Sequence, residues 1–436
     1  MMGQEIDFSA RRKRLCEELL EESVVIVSSA SSYYRNSDAN FPFRQDSNFH
    51  YLSGFDEPNS IIVLRPFAKD KKFIMFCRDR DPLREQWDGF RSGKEGAIKD
   101  FGAEEAYSIS EVDELMPSLL EGTKNIYYSM SSPNGINFKI ENWISQIKAN
   151  TRKGSEAPEN LLSLDSILDE LRLLKKEEEL ILMRKAGEIT CEAHSRAMVK
   201  VSPGMFEYQL EAEYLYTFIN AGARFPAYNS IVGGGNNACI LHYNENSSKL
   251  EEGDLVLVDA GCEFDYYAAD VTRTFPVGKK FSDAQKQIYK VVLEAHKQAC
   301  NEIKPGNPWN VAHTKSIEII TEGLVDLGIL KGNPTALIEN EEYSKFYMHR
   351  VGHWIGMDVH DVGNYKKNGK WRDLEPGMVL TIEPGIYILD SLEGVEEKWL
   401  GIGVRIEDDL LVTKKGHEIL TSNAPREISD IEDLKS

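Results

Sequence analysis

The chain has 436 residues, 41% hydrophobic and 28% charged, with a formal net charge of −20. That length provides for two or three domains with substantial cores. The acidic balance, which a solvated surface explains, argues against nucleic acid as a main partner, and no apolar run is long enough to make a membrane a partner.

In chain order, the opening Met1-Met2-Gly3-Gln4-Glu5-Ile6-Asp7 lacks an apolar signal core, and basic residues from Arg11 to Arg14 follow where one would begin. Cys16, Cys77, Cys191, Cys239, Cys262 and Cys300 form no close pair, so free core thiols in a reducing cytoplasm are expected. A helical segment precedes Val24 to Ser29, which reads as a strand, as do Ser60 to Leu64 and Lys72 to Cys77. Asn150 to Asn160 is polar, with Gly154 and Pro158, and reads as a connection. It divides the chain into domains 1–160 and 161–436. Lys175 to Glu179 is a charge run, expected on a solvated helix surface. Beyond it, Leu180, Met183, Gly187 and Cys191 share one helical stripe. Pro203-Gly204 and Pro305-Gly306 look like corresponding punctuation in two halves of the second domain. Gly233-Gly234-Gly235 lacks the spacing and lysine of a phosphate loop and reads as a turn leading to His242. Helices are expected around Ser282 to Ile303 and Pro308 to Leu327. The alternation of helical and strand patterns gives an α/β (α+β) class.

An internal repeat carries the chemistry. Leu250-Glu251-Glu252-Gly253 through Asp259-Ala260-Gly261 matches Leu374-Glu375-Pro376-Gly377 through Glu383-Pro384-Gly385 in register. In each copy an apolar strand runs into a carboxylate just before a glycine. A core strand has no structural need to end on an acid, whereas a metal site does. Leu255 to Asp259 and Val271 to Phe275 read as two strands of a hairpin. A turn centred between Phe264 and Asp265 would set Asp259 directly opposite Asp270, with Cβ atoms about 5 Å apart. Two such charges repel by roughly 3 kcal/mol at an effective dielectric of about 20. A divalent cation reverses that sign. The bland alternative is a register shift or bulge that turns one acid to solvent.

His353 lies between Gly352 and Gly356, which permit close backbone approach. His349 precedes it by four residues, but the intervening Arg350-Val351-Gly352 is not a zinc-protease motif. Gly401 to Asp409 reads as one strand with Arg405 and Glu407 on the same face. Asp259, Asp270, His353, Glu383 and Glu407 form a hard, oxygen-rich set that favours manganese or magnesium. Four carboxylates are too many for one open catalytic ion and suit two, with a bridging water or hydroxide as nucleophile.

The order Asp, Asp, His, Glu, Glu, with His360 in Asp358-Val359-His360-Asp361-Val362-Gly363, resembles the pita-bread metallopeptidases. Methionine aminopeptidase, aminopeptidase P and prolidase belong to that family. The resemblance extends through Arg172-Leu-Leu-Lys175, Arg184 to Ile189, Leu241-His242-Tyr243, Thr381 to Tyr387 and Gly403 to Asp409. Phe43 to Phe49 and Tyr51 to Pro58 resemble the creatinase-like amino-terminal domain of aminopeptidase P. The resemblance implies a pita-bread catalytic domain of two similar halves after that domain. It implies two divalent ions, manganese first. Asp270 and Glu407 would bridge them, Asp259 would bind one, and His353 and Glu383 the other. Glu383 would also shuttle a proton. His242 and His360 would flank the scissile group, and Tyr228, His349 and Arg405 would form the proline-side pocket.

Bland readings stand beside these roles. His242 or His349 could be a satisfied core histidine, Arg405 a counter-charge to the carboxylates, and Tyr228 packing beside Pro226. The implied activity is release of the first residue from peptides with proline second. A dipeptidase of the prolidase type is the alternative, and a metal-free binding module a third reading. A homodimer or homotetramer is implied, with the Trp87 and Arg91 region near a neighbouring active site.

Overall fold

The computed structural model describes residues 6–130 and 135–435. Residues 1–5, part of the stretch read above as lacking a signal core, lie outside them. The chain divides into two compact units, Glu5–Leu171 and Arg172–Ser436.

The first unit is built on one mixed six-stranded sheet. Its order is Glu105–Ser108, Phe73–Cys77, Ile61–Leu64, Ser23–Ser28, Asn125–Tyr128 and Asn160–Ser163. Ser23–Ser28, Ile61–Leu64 and Phe73–Cys77 are nearly continuous apolar runs, as expected for strands covered on both faces. Helices Val112–Leu120 and Ile136–Ala149 pack Met116, Ile140 and fully buried Trp143 against Val24, Ile26 and Ile74. Asn160–Ser163 pairs in parallel with Asn125–Tyr128. The boundary expected at residue 160 therefore falls between Leu171 and Arg172. A polar stretch that ended one domain in sequence is the approach to its edge strand.

The second unit has two related halves. One carries helices Glu177–Lys200 and Glu207–Asn220 with the sheet Ile231–Gly234, Leu255–Asp259, Thr272–Pro276. The other carries helices Asp283–Asn301 and Val311–Asp326 with the sheet Val379–Ile382, Asp408–Val412, His417–Ile419. Leu180, Met183, Gly187 and Cys191 are all buried, as their stripe requires. The repeat is structural. Gly253 and Gly377 occupy the same left-handed conformation, φ 95° and 97°. Gly204 donates its N–H to the Leu250 carbonyl at 2.8 Å, and Gly306 does the same to Leu374 at 2.9 Å. Each Pro-Gly pair thus pins the leucine that opens its copy of the repeat.

The hairpin register differs from the expectation. Asp265 and Tyr266 both have positive φ, 46° and 71°, the signature of a two-residue primed turn. Asp259 consequently faces Thr272, not Asp270. Because side chains alternate with period two, the shift leaves Asp259 and Asp270 on one face as diagonal neighbours. The local turn geometry moved the partner without turning either acid to solvent.

Behind this face lies a buried ionic network. The Arg273 guanidinium donates to Asp408 at 2.7 Å and to the Glu407 carbonyl at 2.6 Å. Asp408 also accepts from Arg426 at 2.8 Å and Thr421 at 2.7 Å, with His296 3.2 Å away. Burial pushes the Asp408 carboxyl up, but Arg273, His296 and Arg426 outweigh it and hold it far below its usual range. Replacing Asp408 with alanine strands a buried guanidinium and is expected to cost about 3–5 kcal/mol. The denaturation midpoint at constant slope measures this; an unchanged midpoint would contradict it. Since the folded pKa is depressed, the stabilisation is present above the ordinary carboxylate range, about pH 4. It is lost as pH falls through the folded value.

Candidate active site

All ten side chains singled out in the sequence line one cavity of about 910 Å³ in the second unit. Asp259 ends its strand, and Asp270 lies just before Thr272–Pro276. His353 is pinned by backbone bonds to Thr381, with Thr381 N to His353 O at 2.9 Å and His353 N to Thr381 Oγ1 at 3.1 Å. Gly352 permits this approach: a Cβ there would lie 1.9 Å from the Thr381 carbonyl oxygen. Glu383 follows Val379–Ile382, and its N–H reaches the Val351 carbonyl at 2.7 Å.

The single strand expected over Gly401 to Asp409 is instead two. Ile402–Arg405 pairs with Gly385–Ile388, and Asp408–Val412 pairs with Val379–Ile382. Glu407 sits in the break, its N–H bonded to the Thr272 carbonyl at 3.1 Å. The chain changes sheets there, and Arg405, at the end of one ladder, and Glu407, between the two, both line one cavity.

Asp270, His353 and Glu407 each place a ligand atom within 4.8 Å of the others. His353 Nδ1 faces the Trp354 carbonyl at 3.0 Å, which fixes the tautomer and leaves Nε2 for a cation. Nε2 lies 3.3 Å from Asp270 Oδ2 and 3.7 Å from Glu383 Oε1. Asp259 is held from the other side by Arg405 at 2.6 Å. The Tyr228 hydroxyl reaches Asp259 at 2.6 Å and Asp270 at 2.5 Å. One phenol has one proton and cannot donate to both carboxylates at once. Tyr228 is thus engaged with the acids as well as lining the cavity.

The electrostatics show the same excess of negative charge. Burial, then Asp270 and Glu383, push the Glu407 carboxyl well above its usual range. Burial lifts Asp259 despite Arg405. Burial, against the pull of His353 and Arg405, brings Glu383 to about 7. Burial also pushes the His353 imidazole down, but Asp270 and Glu383 lift it to about 9. Divalent cations would displace that proton and relieve the crowding. The donors therefore fit divalent metal ions.

His242 and His360 are both exposed toward the cavity, so neither is a satisfied core histidine. The His360 ring meets His353 edge-on at 4.4 Å. His349 is satisfied on both nitrogens, by the Arg350 carbonyl and the Tyr387 hydroxyl, each at 2.8 Å. Burial, then Arg405, hold it at about 3, so its 3.7 Å approach to Glu383 is not an ion pair. Arg405 also donates to Tyr387 at 3.1 Å.

Several supporting residues escaped the sequence reading. Thr272 donates to Glu407 at 2.6 Å and Thr381 lies 3.5 Å from Glu383. Thr381 stands two residues before Glu383, a spacing that puts both on one strand face and was available in the sequence. Fully buried Glu207 accepts from Gly234 N, Asn237, Tyr243 OH and Ser248 N at 2.8–3.0 Å. It thereby ties together the segment that bears His242. No local signal marked it.

Two family models match the chain: metallopeptidase family M24 over residues 181–414, and the aminopeptidase P N-terminal domain over residues 8–127. The chain belongs to metallopeptidase family M24, and its second unit is a pita-bread catalytic domain. It is 46% identical to the Xaa-Pro aminopeptidase of Haemophilus influenzae, over 98% of this chain and 96% of that one. It is 41% identical to the Xaa-Pro aminopeptidase of Escherichia coli, over 98% and 97%. The solved structure of Pseudomonas aeruginosa aminopeptidase PepP superposes with a TM-score of 0.97 at 48% identity, covering 98% of this chain and 97% of that one.

Proposed function

We propose that this protein is a Xaa-Pro aminopeptidase, a metal-dependent hydrolase that releases the first residue from peptides with proline second. The observation that carries this is the single cavity in which a buried carboxylate–imidazole cluster meets two exposed histidines. The full-length likeness to Xaa-Pro aminopeptidases supports the substrate class. The metals would supply an activated water and polarise the scissile carbonyl.

The protein's own groups do the rest. Asp259, Asp270, His353, Glu383 and Glu407 would hold the divalent ions, with Asp270 and Glu407 shared by both, Asp259 serving one, and His353 and Glu383 the other. Proline has no amide N–H, so its nitrogen must leave as a secondary amine that needs a proton. Glu383, which lines the same cavity, would carry that proton. His242 and His360 hydrogen-bond the substrate beside the scissile bond. His349, kept neutral, and Arg405, fixed by Asp259 and Tyr387, form the proline-side wall with Tyr228.

The reading extends to manganese as the metal, to a homodimer or homotetramer, and to peptides rather than nucleic acid or membrane as partners. No helix among the described residues is long and apolar enough to cross a membrane. Six unpaired cysteines suit a reducing cytoplasm.

The test offers manganese-loaded protein an Xaa-Pro dipeptide and an Xaa-Pro-Yaa tripeptide, with products read by mass spectrometry. The tripeptide should yield free Xaa and Pro-Yaa. Acetylating its amino terminus should suppress cleavage, and alanine in place of proline should greatly weaken it. Efficient cleavage of the dipeptide with no action on the tripeptide would assign a prolidase instead.

A further inference from the structure

Lys175 was expected on a solvated helix surface, and the structure contradicts this: Lys175 is only 5% exposed. Glu179, at the other end of that charge run, is buried too and accepts from the Tyr267 hydroxyl at 2.9 Å. The Lys175 ammonium donates to Asp361 Oδ2 at 2.8 Å. The other oxygen of Asp361 accepts from Arg172 at 2.6 Å, and the same guanidinium nitrogen reaches Asp358 at 2.7 Å. The Arg172, Lys175 and Asp361 side chains are 3%, 1% and 1% exposed. Arg172 lies in the last turn of helix Asp165–Leu173, and Lys175 in the turn that links it to Glu177–Lys200.

Such a cluster needs a reason. A buried ion set seldom stabilises a fold more than apolar side chains of the same volume would. What it provides is direction, since each charge holds its partner at one place and angle. Asp361 is the residue after His360. His360 faces the cavity, whereas Asp361 is buried between the two cations. The segment from Trp354 to Asp361 contains no helix or strand, only an isolated bridge at Trp354. It folds back on itself through Asp361 N to Trp354 O at 2.9 Å and Gly356 N to Asp358 O at 3.1 Å. The His360 ring makes no hydrogen bond among the described residues and touches His353 edge-on. Its aim must therefore come from its backbone, which Asp361, the next residue, ties to the Trp354 carbonyl and to the two cations.

We infer that Arg172 and Lys175, clamped on Asp361, are positioning residues that aim the His360 imidazole into the active-site cavity. The inference rests on the reading of His360 as a catalytic residue. Neither cation touches substrate; each acts through the loop. Loosening the clamp lets the imidazole sample directions that do not meet the substrate, which lowers turnover while the other binding contacts stay in place.

A four-member cycle tests this: the parent, Lys175→Met, His360→Ala and the double variant, each loaded with manganese and assayed on an Xaa-Pro-Yaa tripeptide. Lys175→Met should lower kcat about 10- to 100-fold, the range for partners that orient site residues. KM should stay within about twofold and metal content should be unchanged. In the His360→Ala background the same change should lower kcat by less than about twofold, because there is no imidazole left to aim. Equal losses in both backgrounds would overturn the inference and make the clamp merely structural, as would parent-like kcat in folded Lys175→Met. If Lys175→Met does not fold, Asp361→Asn, which keeps shape and removes charge, takes its place in the cycle. Near-parent turnover of His360→Ala alone would instead sink the catalytic reading of His360, whatever Lys175→Met does.

Discussion

Asp270→Ala and Glu407→Ala are each expected to lower kcat by about 1,000-fold or more, since each is proposed to be shared by both ions and its loss would forfeit several kcal/mol of metal-derived stabilisation, at about 1.4 kcal/mol per tenfold. Both side chains belong to the tight three-residue cluster with His353. Both are buried, at 5% and 1% exposure, so no solvent carboxylate can substitute. Asp259→Ala should be milder, about 10- to 100-fold, a range set by analogy with lost supporting partners. Part of the Asp259 charge is already committed to Arg405 and Tyr228. The measurements are kcat and metal stoichiometry of each purified variant. An Asp259 variant that loses more activity and metal than the other two would reverse the assignment of the bridges.

His360→Ala should reduce turnover about 100-fold or more while leaving bound metal near the parent level, the usual range for a positioned proton-transfer or oxyanion-stabilising group. The ring is exposed in the cavity and lies against His353 without replacing it in the ligand cluster. Burial, then the neighbouring His353, pushes its pKa down. Metal analysis separates the alternatives. Loss of metal in step with activity would make His360 a ligand or a structural support. Parent-like turnover in a folded, loaded variant would leave it no chemical role.

The candidate site was legible because its signals are local. Leu255 to Asp259 is an uninterrupted apolar run that ends on an acid, and the same pattern recurs at Val379 to Glu383. Burial demands the first part of that pattern and does not explain the second. The Pro-Gly pairs and Gly253 with Gly377 mark turns that the backbone needs, so the two halves were visible before any packing was known. Resemblance added Tyr228, His242 and His349, which no spacing argument could have collected into one cavity.

What the sequence by itself determined was therefore composition of the ligand set, the repeat that presents it, and the strands that carry it. These follow from which residues must be buried and which turns require glycine. What only the tertiary structure decided were relations between distant segments. The turn at Asp265 and Tyr266 set Thr272, rather than Asp270, opposite Asp259. The strand bearing Arg405 ended before Glu407 because the two flanking ladders belong to different sheets. Asn160–Ser163 joined the first unit because an open sheet edge accepted it. Lys175 left the solvent because Asp361, 186 residues away, waited with a buried charge. Local periodicity reports whether a side chain is apolar, but a buried cation is recognised only by its partner, and the partner is supplied by the fold.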